Sequence, residues 1–135
     1  MKSYILRLMS LLFLVASLAS PSVESASAET LTWKFTNGTT TRSKIEIKFF
    51  SQNRDFVWPS KSTVWPLTNQ NPLSMTLQCS RGEKICYGAN APGTTSTWGS
   101  GIDGKARCDA CCYLCDNTTV TKNLTGTPVP KAMGR

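Results

Sequence analysis

The sequence of 135 residues contains no histidine. Histidine is the side chain that most often exchanges protons near neutral pH, and it is a common nitrogen ligand of zinc. Its absence therefore excludes the Ser-His-Asp and Cys-His catalytic mechanisms, as well as any zinc site that needs a histidine ligand. Few other negative features of this sequence remove as many functional classes.

Beyond its N-terminal part, the sequence also has no long apolar run, and its charges form no block of one sign. We find no internal repeat, no heptad pattern and no nucleic-acid-binding motif, so nucleic acid is not an expected partner. The chain carries 15 basic and 8 acidic residues, which gives a formal net charge of +7. Such a balance favours anionic surfaces, although the simpler interpretation is that it keeps the protein soluble.

Residues 1–28 are predicted to be a cleaved signal peptide. Two basic residues open the sequence, residues 8–18 are almost wholly apolar, and Ala26-Ser27-Ala28 forms a small-x-small cleavage site. The apolar run is too short to span a bilayer comfortably. The mature chain would then start at Glu29 and contain no transmembrane segment. An earlier cut after Ala19 and an uncleaved N-terminal anchor are the alternatives.

The rest of the chain is long enough for one domain with a modest core. We predict a β domain over residues 29–126 and a flexible tail over residues 127–135, which contain two prolines. An even number of cysteines in a small exported chain indicates disulfide bonds, so a secreted or periplasmic location is expected. The predicted disulfide-forming residues are Cys79, Cys86, Cys108, Cys111, Cys112 and Cys115.

Alternation of apolar and polar residues predicts a mostly extended chain. The alternating segments are 30–36, 43–49, 73–79, 84–89 and 117–124. The pair Asn37-Gly38 tolerates the positive φ angles of a tight turn, so the first two strands are predicted to form a hairpin. Alternation also places Cys79 toward the core and Cys86 on the opposite face. The predicted fold class is all-β, a small disulfide-stapled sandwich of about five to seven strands.

Four of the six cysteines occur within residues 108–115, in the pattern C-x2-CC-x2-C. On a helix this spacing puts the four sulfurs on one face, so a short helical turn is predicted there. Stapling, a metal site and thiol–disulfide redox chemistry are the three interpretations. For stapling, either Cys79 and Cys86 both bridge to the cluster or they pair with each other. We favour the first arrangement, because long bridges remove more entropy from the unfolded chain.

Aromatic and charged residues near predicted turns are the candidate binding residues. They are Arg54, Asp55, Trp58, Trp65 and Trp98. Trp98 lies in the segment 90–107, which is rich in Gly, Thr and Ser and is long enough to be a functional or mobile loop. For the three tryptophans, packing in the core is an equally good explanation.

A binding or structural module is the leading functional class, with a glycan or an anionic component of the cell envelope as its ligand. The alternatives are a redox or metal-binding protein that uses the cysteine cluster, a membrane-active protein and a hydrolase that uses a carboxylate pair. The carboxylates outside the predicted strands are Asp55, Glu83, Asp103, Asp109 and Asp116. No spacing selects a pair, so we assign no catalytic residue, metal or other cofactor.

Several stretches of the chain resemble a family of small exported bacterial β proteins that are rich in cysteine. These stretches are Phe50 to Asp55 followed by Trp58-Pro59, Gly82 to Ala89, Trp98-Gly99 and the C-x2-CC-x2-C pattern. The resemblance covers nearly the whole predicted mature chain. It implies a shared disulfide-bonded β fold, and it carries over neither an activity nor catalytic residues.

Overall fold

The structure is a computed structural model, and it describes residue 22 and residues 27–68 and 71–132. The nine strands in these residues are β1 (Ala28–Thr39), β2 (Ile45–Ser51), β3 (Val57–Trp58), β4 (Trp65–Leu67), β5 (Leu73–Ser80), β6 (Lys84–Asn90), β7 (Thr97–Gly99), β8 (Cys112–Leu114) and β9 (Thr119–Gly126). No helix occurs in the described part of the chain, and so none that is long and apolar enough to cross a membrane. The prediction of an all-β fold is confirmed.

The strands form two sheets. In the first sheet β1 lies between β5, to which it is antiparallel, and β9, to which it is parallel. In the second sheet β2 pairs with β6, while β3 and β4 pair with the other edge of β2. β7 and β8 pair with the other edge of β6. The structure has more strands than the predicted five to seven. These four edge strands are only two or three residues long, which is too short for an alternation of apolar and polar residues to reveal them.

The core lies between the two sheets and is built from the alternating residues that the sequence marks as apolar. Trp33 of β1 is fully buried, and its ring centroid lies 5.1 Å from that of Phe49 on β2 and 5.7 Å from that of Tyr87 on β6. Phe35 makes matching contacts with the same two rings. Burial of one such side chain stabilises the fold by about 2–3 kcal/mol, so this aromatic layer is a principal source of stability.

The predicted hairpin at Asn37-Gly38 is wrong. β1 runs straight through this pair, and β1 and β2 belong to different sheets. Asn37 is buried; its Nδ2 donates to the Ser43 carbonyl at 2.8 Å and its Oδ1 accepts from the Thr39 amide at 3.1 Å. Gly38 lies against the Asn123 side chain, which would have to move to admit a Cβ atom. The two residues therefore support the crossing between sheets and close packing on β9 instead of a two-residue turn.

A turn at residues 80–83 is present, with the Glu83 amide donating to the Ser80 carbonyl at 2.9 Å and Gly82 at a φ of 74°. It connects β5 of the first sheet to β6 of the second sheet. Cys79 therefore points into the core from the first sheet. Cys86 lies on the face of β6 opposite Tyr87, where it is buried beside Phe50 and Cys112. The two cysteines are not cross-strand neighbours, as the alternation predicts.

The segment 90–107 is packed on the second sheet, although the sequence suggested a functional or mobile loop. β7 pairs with β6 inside it, and the Ser100 hydroxyl donates to the Tyr87 carbonyl at 3.1 Å. A Cβ atom on Gly88 would collide with the Gly101 carbonyl, so the glycine allows this segment to lie directly on β6. Glycine at this position serves close backbone approach.

The segment predicted to be a flexible tail is bonded to the domain as far as it is described. The Thr95 amide donates to the Val129 carbonyl at 2.8 Å, and the Lys131 amide donates to the Gly93 carbonyl at 3.0 Å. Pro128 is buried. Two prolines do not prevent this docking, because the neighbouring residues supply the hydrogen-bonding groups. Residues 133–135 of the predicted tail, and nearly all of the predicted signal peptide, lie outside the described residues.

Candidate functional site

All six cysteines are paired in the structure. Cys79 bridges to Cys115, Cys86 bridges to Cys112, and Cys108 bridges to Cys111. Both distant cysteines therefore reach the cluster and one pair closes locally, which is the stapling arrangement that the sequence analysis favours. The first bridge links the first sheet to the end of β8, and the second lies within the second sheet between β6 and β8.

The short helical turn predicted at the cluster is absent. Residues 109–111 form bends, and the next three residues form β8, which pairs antiparallel with β6. The free edge of β6 explains this difference, because it offers hydrogen bonds that a helix would forgo. The Tyr87 amide donates to the Cys111 carbonyl at 3.0 Å, and the Cys115 amide donates to the Glu83 carbonyl at 2.9 Å. Pairing also places Cys112 opposite Cys86.

The three candidate tryptophans pack on the core. Trp58 is buried and lies opposite Phe49 where β3 pairs with β2. Trp65 makes an edge contact with Phe49 at a centroid distance of 5.5 Å. Trp98 is partly buried, and its Nε1 donates to the Thr125 carbonyl at 2.8 Å. Their positions support packing in the core, rather than ligand binding, as the role of the three tryptophans.

Arg54 lies between the aromatic pair Phe56 and Trp58 and the buried carboxylate of Glu83. Its guanidinium carbon lies 4.4 Å from the ring centroid of Phe56 and 5.5 Å from that of Trp58. Its Nε also donates to Glu83 Oε1 at 2.7 Å. Arg54 is thus held on both sides, and its charge is neutralised by Glu83.

The Glu83 carboxylate is the centre of a polar cluster between the β2–β3 connection and the turn after β5. It is 4% exposed and accepts hydrogen bonds from the Ser51 hydroxyl at 2.6 Å and the Ser80 amide at 3.0 Å, besides those from Arg54. Burial raises the pKa of Glu83, but the hydrogen bonds from Arg54, Ser51 and Ser80 outweigh it and bring the pKa below its ordinary value. The sequence did not reveal this cluster, because its members lie about thirty residues apart and share no motif.

We expect Glu83→Gln to lower the free energy of unfolding by about 1–3 kcal/mol, because a buried acceptor of several hydrogen bonds loses its charge. Since the folded state depresses this pKa, the carboxylate contributes stability above about pH 4.5, and that contribution is lost as pH falls through the lower folded pKa. Urea unfolding between pH 3 and pH 7 measures both effects. Asp55→Asn, which removes the exposed pair with Lys61, is the control and should change little. Equal stability of Glu83→Gln and the parent at pH 7 would contradict the assignment.

The outer face of the second sheet carries a groove of about 480 Å³, which we call the outer groove. Its lining residues are Lys48, Phe50, Asp55, Val57, Lys61, Ile102 and Asp103. Alternation on β2 turns Lys48 and Phe50 away from the core, and the segment after β7 forms the opposite wall. Gly104 lies against the Phe50 ring, so a larger residue there would displace this wall.

The charges of the outer groove are balanced and only partly paired. Lys48 Nζ donates to the Lys61 carbonyl at 2.6 Å, and Lys61 Nζ donates to Asp55 at 2.6 Å. Asp103 Oδ1 accepts from the Lys105 amide at 3.1 Å. Asp55 is the one candidate binding residue from the sequence that lines this groove. A smaller cavity of about 180 Å³ beside Glu83 is lined by groups that mostly bond to one another.

Within the described residues, one group of side chains has metal-ligand geometry. The sulfurs of Cys86, Cys111 and Cys112 all lie within 4.8 Å of one another. All three are engaged in disulfides, and a metal requires thiolates, so the oxidised form shown by the structure offers no ligand set here.

The resemblance to exported bacterial β proteins stays a prediction. Comparison with known protein families, with curated proteins and with solved structures finds no match for this chain.

Proposed function

We propose that this protein is an exported binding module that holds a glycan of the cell envelope in the outer groove. The observation that supports this proposal is the lining of the groove, which combines two lysines, two aspartates and three apolar side chains from the second sheet and its connecting segments. Its volume of about 480 Å³ falls in the usual range for small-molecule sites.

The chemistry of the lining suits a sugar. Phe50 and Val57 offer an apolar floor for one face of a sugar ring, while the ammonium and carboxylate groups donate to and accept from its hydroxyls. The positive and negative charges cancel within the groove, which favours a neutral or zwitterionic glycan over a strongly anionic one. The basic surplus of the chain lies outside the groove and is not needed for this recognition.

Secretion or export to the periplasm is part of the proposal. Three disulfides form and persist in oxidising compartments, and the predicted signal peptide supplies the route. The disulfide-bonded β sandwich then serves as a stable support for the groove.

Isothermal titration with a panel of neutral, zwitterionic and anionic oligosaccharides tests the proposal. We expect neutral or zwitterionic members to bind, and Lys61→Ala and Asp103→Asn to raise Kd by about tenfold or more, because each removes a charged hydrogen-bonding group from the site. Asp116→Asn, an exposed aspartate that does not line the groove, is the matched control and should leave Kd unchanged. Binding that is equal in all variants, or binding to anionic vesicles alone, would reject the groove as the glycan site.

A further inference from the structure

Two of the disulfides are in contact with each other. The Cys111 sulfur of the Cys108–Cys111 bridge lies 3.7 Å from the Cys112 sulfur of the Cys86–Cys112 bridge. The Cys86 sulfur completes a group of three sulfurs within 4.8 Å of one another. A thiolate released at any of these positions would therefore meet a neighbouring disulfide without any large movement of the chain.

The two bridges differ in their access to solvent. Each bridge joins a half-buried cysteine, Cys108 or Cys112, to a buried one. The residues on both sides of Cys108 are exposed, whereas Cys112 lies in β8 next to the buried Cys111. An external thiol therefore reaches the Cys108–Cys111 bridge first, at the Cys108 sulfur, and Cys111 is the leaving group. The thiolate is released on the buried side, next to the second bridge.

We infer that the cluster is a thiol–disulfide exchange site, in which reduction of the Cys108–Cys111 bridge transfers Cys86 from Cys112 to Cys111. This inference goes beyond glycan binding and does not depend on the outer groove. The co-reactant is a dithiol reductant in the compartment where the protein resides.

The exchange balances as three successive displacements. One thiolate of the dithiol attacks the Cys108 sulfur and expels the Cys111 thiolate, and the second thiol of the dithiol then releases Cys108 as a thiol and closes its own disulfide. The Cys111 thiolate attacks the Cys86 sulfur, forms the Cys86–Cys111 bond and expels the Cys112 thiolate, which takes a proton from water. The dithiol is oxidised, and Cys108 and Cys112 end as thiols.

Attack on Cys86 is favoured over attack on Cys112 by backbone geometry. A bridge between Cys111 and Cys112 would join consecutive residues, and a planar trans peptide bond does not fit disulfide geometry there. The Tyr87 amide holds the Cys111 carbonyl beside β6 at 3.0 Å, so Cys111 is already next to the strand that carries Cys86. The ammonium of Lys122 donates to the Ala110 carbonyl at 3.0 Å and so ties the backbone next to Cys111 to β9.

The variant Cys108→Ser tests the last displacement alone, because it leaves Cys111 unpaired without any reductant. We expect non-reducing peptide mapping with fragmentation, after incubation at pH 8 and acid quenching, to find the Cys86–Cys111 bond and a free Cys112 in about a tenth of molecules or more. At pH 6 the isomer should form roughly 50- to 100-fold more slowly, because exchange requires the thiolate and the thiolate fraction of an ordinary thiol falls by about that factor between pH 8 and pH 6.

Cys111→Ser is the matched control, because the remaining thiol of Cys108 is not in the three-sulfur group, and it should retain the Cys86–Cys112 bond alone. The unmodified protein gives an independent measurement: one equivalent of a dithiol should yield free thiols at Cys108 and Cys112, with the Cys79–Cys115 bridge intact. Free thiols confined to Cys108 and Cys111 in the unmodified protein, or a Cys86–Cys112 bond alone in Cys108→Ser, would overturn the inference.

Discussion

Removing both long disulfides is expected to unfold the domain. The change is Cys79→Ala with Cys115→Ala, combined with Cys86→Ala and Cys112→Ala, so that no unpaired thiol remains. The bridges close segments with sequence separations of 36 and 26, and each is worth about 3.5–4 kcal/mol in the chain-entropy account. The Cys86–Cys112 loop lies inside the Cys79–Cys115 loop, so the two contributions do not add in full. Their combined loss of roughly 4–7 kcal/mol is comparable with the whole stability of a domain of this size. Near- and far-ultraviolet circular dichroism of the purified chain measures the outcome.

The Cys108–Cys111 bridge supplies the matched control. Its sequence separation is only 3, so replacing both of its cysteines by alanine removes little entropy from the unfolded chain and should leave a folded protein. Each long bridge removed singly should give an intermediate melting temperature. If the fourfold variant melts within a few degrees of the parent, the two bridges are not what stabilises the sandwich.

The second large effect is expected at the centre of the core. Trp33→Ala removes a fully buried ring that contacts the rings of Phe35, Phe49, Tyr87 and Tyr113 at centroid distances of 5.1–5.8 Å. We expect a loss of about 3–5 kcal/mol in the free energy of unfolding, because the lost burial adds to the energy of the cavity. Urea unfolding monitored at the remaining aromatic residues measures it.

Trp33→Phe is the informative control for this substitution. Among the residues that the structure describes, no atom accepts a hydrogen bond from Trp33 Nε1, so the buried N–H group is itself unfavourable. Phenylalanine keeps most of the aromatic contact and lacks this donor, and it should therefore lose less than half as much stability as alanine does. A phenylalanine variant as unstable as the alanine variant would show that the indole makes an interaction that the structure does not display.

The strands and the core could be predicted from the sequence, whereas the assignment of strands to sheets could not. Period-two alternation identifies the buried face of β1, β2 and β5 because each strand has one apolar face. It does not identify the neighbouring strand, since a hairpin and a crossing between two sheets bury the same residues. Asn37-Gly38 has hairpin composition, yet its side-chain hydrogen bonds and its packing on β9 place it within a strand.

Of the candidate sites, the disulfide cluster could be predicted from the sequence and the outer groove could not. The distribution of two cysteines and four leaves two disulfide arrangements, and the larger entropic effect of long bridges favours the one that the structure shows. The outer groove could not be found, because its charged residues come from β2, two connections and the segment after β7, which no sequence spacing relates. The tryptophans near predicted turns suggested binding. In the structure Trp58, Trp65 and Trp98 lie in short edge strands, and their rings pack on the core.

The parallel pairing of β1 and β9 has a mechanical consequence. Because the two strands run in the same direction, the chain enters β1 and leaves β9 at opposite ends of the first sheet. Tension between those two points loads the pairing in shear, and the register from Thr32–Thr119 to Thr39–Gly126 must yield as a unit. After the two strands separate, the Cys79–Cys115 bridge still prevents the chain between these cysteines from extending. That segment has a sequence separation of 36, or roughly 120 Å of contour length. A domain tethered at a cell surface and pulled from its far end would therefore resist strongly and then extend only by the chain that lies outside this bridge.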